Sequence, residues 1–457
     1  MKAGFGKFNI TPRVGVELYG FGPYQNRKSI GIRDILETRA GAFTAGGHTA
    51  VIITCDLVKI EADTVAVIRS LLCSRYPELK GKDIMIQASH THSGPSVSAN
   101  GGNGWGQTDP AWRFILPYKM VEAAYQAMEN RVEAEVSQAL VPCEHIGLNR
   151  VYDQDGPPLE QVLKEDWTPA KPELTDTVCR VIRFNASADK KLIGFMAYFG
   201  CHPVVCCDDN HFIHGDYPGV AMHTLMREFP GSVGLFIQGA LGDVNTGCVY
   251  KKEQESLLAL DVFAARFSNA VRNGLNCAEP LRINSIKTVS AVFPFSVKQT
   301  FTPEIIAHYR KEFAVQLFRS DADDSDREIL RAAVKMIGLD KIEQLMNDKT
   351  VCYKMEMQIV RMGGLEFIGT PFEVMQAIKN EAHAVSAAEY PMLMSLTNDS
   401  GNYAPDNESL KEKKDASVYS RYAALTSPMY GGRLPYADIH NEIIRYMKEL
   451  EQKIEEE

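Results

Sequence analysis

The chain lacks long apolar runs, basic clusters and paired-cysteine spacings, and each absence removes a class of function. No uninterrupted apolar run approaches the roughly 20 residues of a membrane-spanning helix. The run Leu192-Ile193-Gly194-Phe195-Met196-Ala197-Tyr198-Phe199 is far too short. The opening Met1-Lys2-Ala3-Gly4-Phe5-Gly6-Lys7-Phe8-Asn9-Ile10 has no apolar core of a signal peptide. If Met1 is the natural start, the expectation is a cytoplasmic protein. Formal charge is −9, and no Lys/Arg cluster is present to neutralise phosphates, so a nucleic-acid partner is not expected. The ten cysteines show no C-x-x-C pair, and Cys55, Cys73, Cys179 and Cys201 sit in apolar runs. They read as buried reduced thiols. Cys201, Cys206 and Cys207 cluster, but vicinal Cys206-Cys207 is poor chelating geometry, so packing is the expected role. The acidic break at 320–326 lacks the Gly and terminal Glu of an EF-hand and reads as a solvated loop.

What is present is an ordinary globular composition, 45% apolar and 23% charged, in a chain of 457 residues. Strand and helix patterns alternate. Segment 49–55 reads as a strand, 61–72 as a helix, and 83–86 as a short buried strand, followed by a helix over about 111–132. The rhythm returns with a strand at 193–200, a helix at 217–228 and a strand at 234–238. It returns again at 365–370, 374–388 and 391–396. More antiparallel-looking segments fall at 281–297 and 352–360. The fold class expected is α/β, a mixed sheet with βαβ units and flanking helices. We expect one domain over 1–457, with a charged helical insertion at about 303–348 and a solvated helix end at 448–457.

The polar chemistry gathers where these strands end. His90 and His92 lie in Gln87-Ala88-Ser89-His90-Thr91-His92-Ser93-Gly94-Pro95, just past the strand at 83–86. His202-Pro203 follows the strand at 193–200. Gly242-Asp243-Val244-Asn245 follows the next. Gly369-Thr370-Pro371-Phe372-Glu373 and the stretch from Ser395 to Tyr403 close the third unit. Ligands of open α/β sheets bind outside the carboxyl ends of strands, and neutral imidazole is the commonest nitrogen ligand of zinc. Taken singly, His202 can be a core histidine, Glu373 a helix N-terminal carboxylate and Tyr403 a half-buried aromatic. Four polar motifs at four strand ends point to a site.

These segments, in this order, resemble the neutral/alkaline non-lysosomal ceramidase family along its catalytic domain. The resemblance rests on Gly4-Phe5-Gly6-Lys7-Phe8-Asn9-Ile10-Thr11-Pro12, Ser89-His90-Thr91-His92-Ser93-Gly94-Pro95, His202-Pro203, Gly215-Asp216-Tyr217-Pro218-Gly219, Gly242-Asp243-Val244 and Pro371-Phe372-Glu373. It implies a zinc site made by His90, His202, Glu373 and Tyr403, with His92 beside the metal as base or supporting partner. It implies that Arg150 contacts the polar end of the substrate, and that Gly20 and Tyr430 lie near the reacting carbonyl. The candidate catalytic set is then His92, Asp243, Asn245 and Tyr430. The family's C-terminal immunoglobulin-like domain is not expected here, because the catalytic pattern runs out near residue 440.

One departure shapes the expected chemistry. Asn245 stands where the family carries a serine, and a side-chain amide cannot form an acyl intermediate. Zinc needs no such serine, because it lowers the pKa of bound water from 15.7 to roughly 7. The expectation is a zinc-dependent hydrolase attacking an amide, ester or lactone carbonyl of a small polar or N-acylated molecule. A true ceramidase is the alternative. A catalytically silent zinc-binding protein is a third reading, weakened by retention of His90, His92, His202, Glu373, Tyr403 and Arg150.

Overall fold

The β-branched run at residues 48–55 forms the strand His48–Cys55, and the helix Ala62–Arg75 carries the chain over to Ile84–Ala88, parallel to it. Parallel neighbours need a crossover, which the helix supplies. Leu192–Phe199 and Val233–Gln238 repeat the unit around the helix Asp216–Glu228. Leu365–Gly369 and Tyr390–Met394 repeat it around Gln376–Val385. All three βαβ units read from periodicity are therefore present. The helix Asp216–Glu228 shows why: Tyr217, Val220, Ala221 and Leu225 fall at helical spacing and are buried. The computed structural model describes residues 1–99, 104–153, 156–298, 301–319, 323, 326–411 and 417–456.

The first two units occupy opposite ends of one large mixed sheet. Its order is Val233–Gln238, Leu192–Phe199, Val178–Ala186, Val132–Pro142, Lys2–Asn9, Glu37–Ala45, His48–Cys55, Ile84–Ala88. The sheet curls until its end strands meet. There the buried Gln87 amide donates to the Gln238 carbonyl at 2.8 Å and accepts its N–H at 3.0 Å. The same side chain donates to the Ser395 carbonyl at 2.8 Å, just past the third unit. One glutamine thus gathers the carboxyl ends of all three βαβ units.

The third unit belongs to a second sheet, ordered Ile286–Ser296, Cys352–Met362, Leu365–Gly369, Tyr390–Met394. Asn398 docks it on the first sheet, its Oδ1 accepting from Ile86 N at 3.0 Å and its N–H donating to Ile86 O at 2.8 Å. An edge strand's free backbone groups are thereby satisfied.

Several expectations need correction. The helix read to residue 132 is Pro110–Glu129, capped by Asp109, which accepts from the N–H groups of Ala111 and Trp112. Asn130 closes it, and the strand Val132–Pro142 begins at once. The C-terminal helix Ile439–Glu456 is no mere solvated end. Ile443, Met447, Leu450 and Ile454 form a fully buried stripe in the same apolar cluster as Ile359 and Ile368 of the second sheet. The insertion at about 303–348 forms the helices Pro303–Leu317 and Arg327–Leu345. Gly338 lies so close to the helix Ser427–Gly431 that a Cβ would stand 1.7 Å from the Met429 carbonyl oxygen. The acidic break at 320–326 falls largely outside the described residues. Among the described residues no helix is long and apolar enough to cross a membrane.

Candidate metal centre and active site

His90 leaves its strand in the left-handed region, at φ +72°, with its N–H on the Leu57 carbonyl at 2.8 Å. That turn aims the ring into the gap between the sheets. Its Nδ1 is 2.6 Å from the Val58 carbonyl, so Nδ1 carries the proton and Nε2 faces the gap as a lone pair. His202 is held the same way, with Nδ1 at 2.5 Å from Leu241 O and 3.2 Å from Val244 O. A ring nitrogen anchored on a carbonyl is the usual support of a metal-ligating histidine. Glu373, entering from the third unit, brings Oε2 to 3.3 Å from His202 Nε2 and 3.5 Å from His90 Nε2.

Neither His202 Nε2 nor Glu373 Oε2 has a hydrogen-bond partner, although both are buried. Orphaned buried acceptors facing one another cost free energy unless a cation joins them. Burial pushes the His202 imidazole down to about 4, keeping it neutral near pH 7. Burial would raise the Glu373 carboxyl, but the neighbouring His90 and His202 outweigh it and hold it well below its ordinary range. Neutral imidazoles with one carboxylate form a donor set suited to a divalent ion. The observed separations match the ~3.3 Å edge of a ligand tetrahedron about 2.0–2.1 Å from zinc. The residues fit the metal.

His92 completes the cluster, with its Nε2 3.1 Å from His90 Nε2, and the three histidines can share an ion. It differs from the other two in its anchoring. Its Nδ1 is buried without a partner and abuts Gly20. Gly20 has φ +114°, and a Cβ there would lie 2.4 Å from that nitrogen. Phe21 packs edge-on to the ring at 4.8 Å. Burial, then the neighbouring His90 and His202, keep His92 well below its ordinary pKa.

The cluster forms the floor of a cavity of about 720 Å³. Aromatic rings dominate its walls: Tyr19, Phe21, Trp105, Tyr250, Tyr403, Tyr419, Tyr422 and Tyr430. Tyr403 is fixed by backbone pairing with Glu373, and its ring stacks on His202 at 6.4 Å. Arg150 lies over the Tyr419 ring at 3.8 Å and donates to the Tyr403 hydroxyl at 3.4 Å. Gly20, Asn245 and Tyr430 also line the cavity, Tyr430 edge-on to Trp105 at 6.0 Å.

Asp243 does not line the cavity. Its carboxylate accepts from Gln376 N at 2.8 Å and Asn149 Nδ2 at 2.9 Å, and its carbonyl accepts from Arg150 N at 2.8 Å. Burial raises this carboxyl to about 6. The residue ties together the segments that carry Arg150, Asn245 and Glu373, which makes it a positioning group. Sequence reasoning missed Arg27 altogether. It is buried and donates to the carbonyls of Tyr19 and His92, each at 2.8 Å, bracing the Gly20 loop against His92. Nothing local in Tyr24-Gln25-Asn26-Arg27 signals that role. Tyr419 and Tyr422, one helical turn apart, carried a spacing that could have flagged a shared face.

A second group, Cys206, His214 and Asp216, also brings potential ligands within 4.8 Å. Here the bonds are internal. Asp216 accepts from Val205, Cys206 and Tyr217 N–H groups, and its own N–H donates to His214 Nδ1 at 3.0 Å. That network shapes the loop, in keeping with the packing role expected for Cys206. All ten cysteines are unpaired.

Two of the solved structures that share the fold are ceramidases. One is the neutral ceramidase of Pseudomonas aeruginosa, with a TM-score of 0.73 at 16% identity over all of this chain and 74% of that one. The other is a ceramidase complexed with C2, with a TM-score of 0.72 at 16% identity over all of this chain and 75% of that one. No curated protein sequence matches. The family model for the N-terminal part of neutral/alkaline non-lysosomal ceramidases matches residues 1–254, which contain His90, His92, Arg150, His202 and Asn245. More than half of the sequence thus carries the family pattern, and the chain belongs to the neutral/alkaline non-lysosomal ceramidase family, a family of amide-bond hydrolases.

Proposed function

We propose that this protein is a zinc-dependent hydrolase that cleaves the amide of an N-acyl compound with water as the nucleophile. One observation carries the reading. Two imidazoles with carbonyl-anchored Nδ1 atoms and one carboxylate converge at the floor of the cavity, with His202 Nε2 and Glu373 Oε2 left unpartnered. His90, His202 and Glu373 would hold the metal, with Tyr403 as the fourth candidate ligand. Zinc bound there supplies a lowered water pKa and polarises the carbonyl.

The remaining groups divide the work. His92 is the one imidazole of the three without a carbonyl anchor. Kept neutral by burial, it accepts a proton from the attacking water and delivers it to the departing amine nitrogen. The water oxygen bonds to the carbonyl carbon, the C–N bond breaks, and the products are a carboxylic acid and an amine. Asn245 supplies an N–H donor to the oxygen that becomes negative during attack, and Arg150 contacts a polar group of the substrate beside it. With Asn245 in place of a serine, no acyl-enzyme is expected.

Ceramide is the second reading of the substrate, favoured by family membership. The tyrosine-rich walls favour a more compact polar amide. A cytoplasmic location belongs to the same proposal, and disulfides at Cys206 or Cys207 in the native protein would contradict it. A panel of short N-acyl amides and ceramide, assayed with and without chelator, tests the activity. Chelator-sensitive amidase activity without a trapped acyl-enzyme is expected. Asn245→Ala should slow it by at most ~10²–10³-fold, the scale of one lost oxyanion donor. A covalent acyl intermediate, or hydrolysis unaffected by chelator, would overturn the mechanism.

A further inference from the structure

Arg433 lines the same cavity, yet no carboxylate pairs with it among the described residues. Its guanidinium rests over the Tyr353 ring at 4.0 Å, with Tyr436 at 5.9 Å. Its hydrogen bonds to the Gly401 carbonyl at 3.5 Å and the Tyr436 hydroxyl at 3.3 Å are long. The nearby acid Asp399 attracts the guanidinium without forming an ion pair with it, and its carboxylate accepts from the N–H groups of Ala62 and Ser400. Arg150, the other arginine on the wall without a carboxylate, lies over the Tyr419 ring at 3.8 Å and donates to the Tyr403 hydroxyl at 3.4 Å, beside the metal cradle, whereas the remaining cations are paired with acids. Lys59 meets Glu61 at 3.1 Å, and Arg331 meets Glu328 at 3.5 Å and two backbone carbonyls.

A guanidinium carries five donors in a planar fork matched to carboxylate and phosphate. An aromatic face steadies the cation but accepts none of those N–H groups in the way an anion does. Folding has therefore left Arg433 held by rings and long hydrogen bonds, with no carboxylate ion pair among the described residues. Its surroundings lead toward the reacting centre. Gly401, its acceptor, is two residues before Tyr403, which stacks on His202. Asn402 lies between them on the wall, and its Oδ1 accepts from the Ser427 hydroxyl at 2.9 Å, so donors and acceptors run along that side of the cavity.

We propose that the Arg433 end of the cavity is a subsite for an oxyanion on the substrate. The amide cleaved then belongs to an acylated compound that bears a carboxylate or phosphate, with its C=O over the metal cradle and its anion on Arg433. The inference rests on the amide-hydrolase reading and adds the substrate class to it.

Three substrates with one acyl chain test it: N-acylethanolamine (neutral), N-acylglycine (carboxylate) and N-acyl-O-phosphoethanolamine (phosphate). The expected kcat/KM is at least ~10-fold higher for one of the anions than for the neutral amide, the scale of a charge-assisted hydrogen bond. The larger of the two anionic values identifies the oxyanion. In Arg433→Met that ratio falls toward one, and Arg433→Lys restores part of it. Equal kcat/KM for all three in the wild type, or an anion preference that survives Arg433→Met, overturns the proposal. Calorimetric binding of N-acylglycine and inorganic phosphate to wild type and Arg433→Met keeps the two readings apart. Arg433-dependent binding of either anion without hydrolysis would sink the hydrolase and leave the subsite. Hydrolysis with anion binding absent, or unchanged in Arg433→Met, would do the reverse.

Discussion

Gly20→Ala separates the proton-handling role of His92 from metal ligation. A Cβ at residue 20 would lie 2.4 Å from His92 Nδ1, 2.6 Å from its Cγ and 3.0 Å from its Cβ. Ordinary carbon contacts sit near 3.5–4.0 Å, so the ring must retreat by about 1 Å. It has little room. Phe21 packs on the ring at 4.8 Å, and Arg27 holds the His92 carbonyl at 2.8 Å. A misplacement of about 1 Å in a reacting constellation costs on the order of 10²-fold in rate. The backbone adds strain, because φ +114° suits glycine and costs other residues ~1–3 kcal/mol. The variant should fold, melt a few degrees lower, keep its metal and lose about 10²-fold in kcat/KM. Metal content by elemental analysis and amidase kinetics on the same preparation are the assays. Activity within threefold of wild type would refute the steric argument. Loss of metal along with activity would make His92 a ligand.

Two further perturbations probe the scaffold. His383 is pushed down to about 3 by burial, then by Lys379, while its Nε2 accepts from Leu393 N at 3.2 Å. A depressed folded-state value means its stabilising contribution is full above the unfolded value near 6.5 and is lost as pH falls toward 3. Between pH 7 and pH 4 that amounts to on the order of 3 kcal/mol, so urea unfolding of His383→Gln should show a correspondingly shallower acid loss. An unchanged pH slope would remove His383 from the account. Gln87→Leu strands the Gln238 N–H and two carbonyls, and should cost at least ~2 kcal/mol in unfolding free energy. A near-neutral result would show that the sheet closes without that glutamine.

The parts of the site that were legible in the sequence sit directly after apolar strands. His90, His202 and Glu373 each follow a short buried run and precede a turn, so strand-end logic placed them near one another. Local signals ended there. The strand Val132–Pro142 alternates exposed Glu133 and Glu135 with buried Ala134 and Val136, and its first residues read as the end of the preceding helix. The sheet's curl depends on Gln87 reaching Gln238, 151 residues away in sequence, which no window of periodicity reports. Asp243 shows the same limit from the other side. Its motif marked it as chemistry, whereas its bonds to Asn149 and Gln376 make it a tie between loops. Arg27 and Arg433 gain meaning only from carbonyls and rings that distant segments bring to them.

In the proposed mechanism, His90 and His202 hold a metal on which hydrolysis depends. Elemental analysis of wild type, His90→Ala and His202→Ala, paired with amide hydrolysis before and after chelation, tests it most directly. About one zinc per wild-type chain is expected, with loss of zinc and activity in both variants and recovery of chelated wild type on adding zinc back. Full metal retention in both variants, or hydrolysis indifferent to chelator, would contradict it.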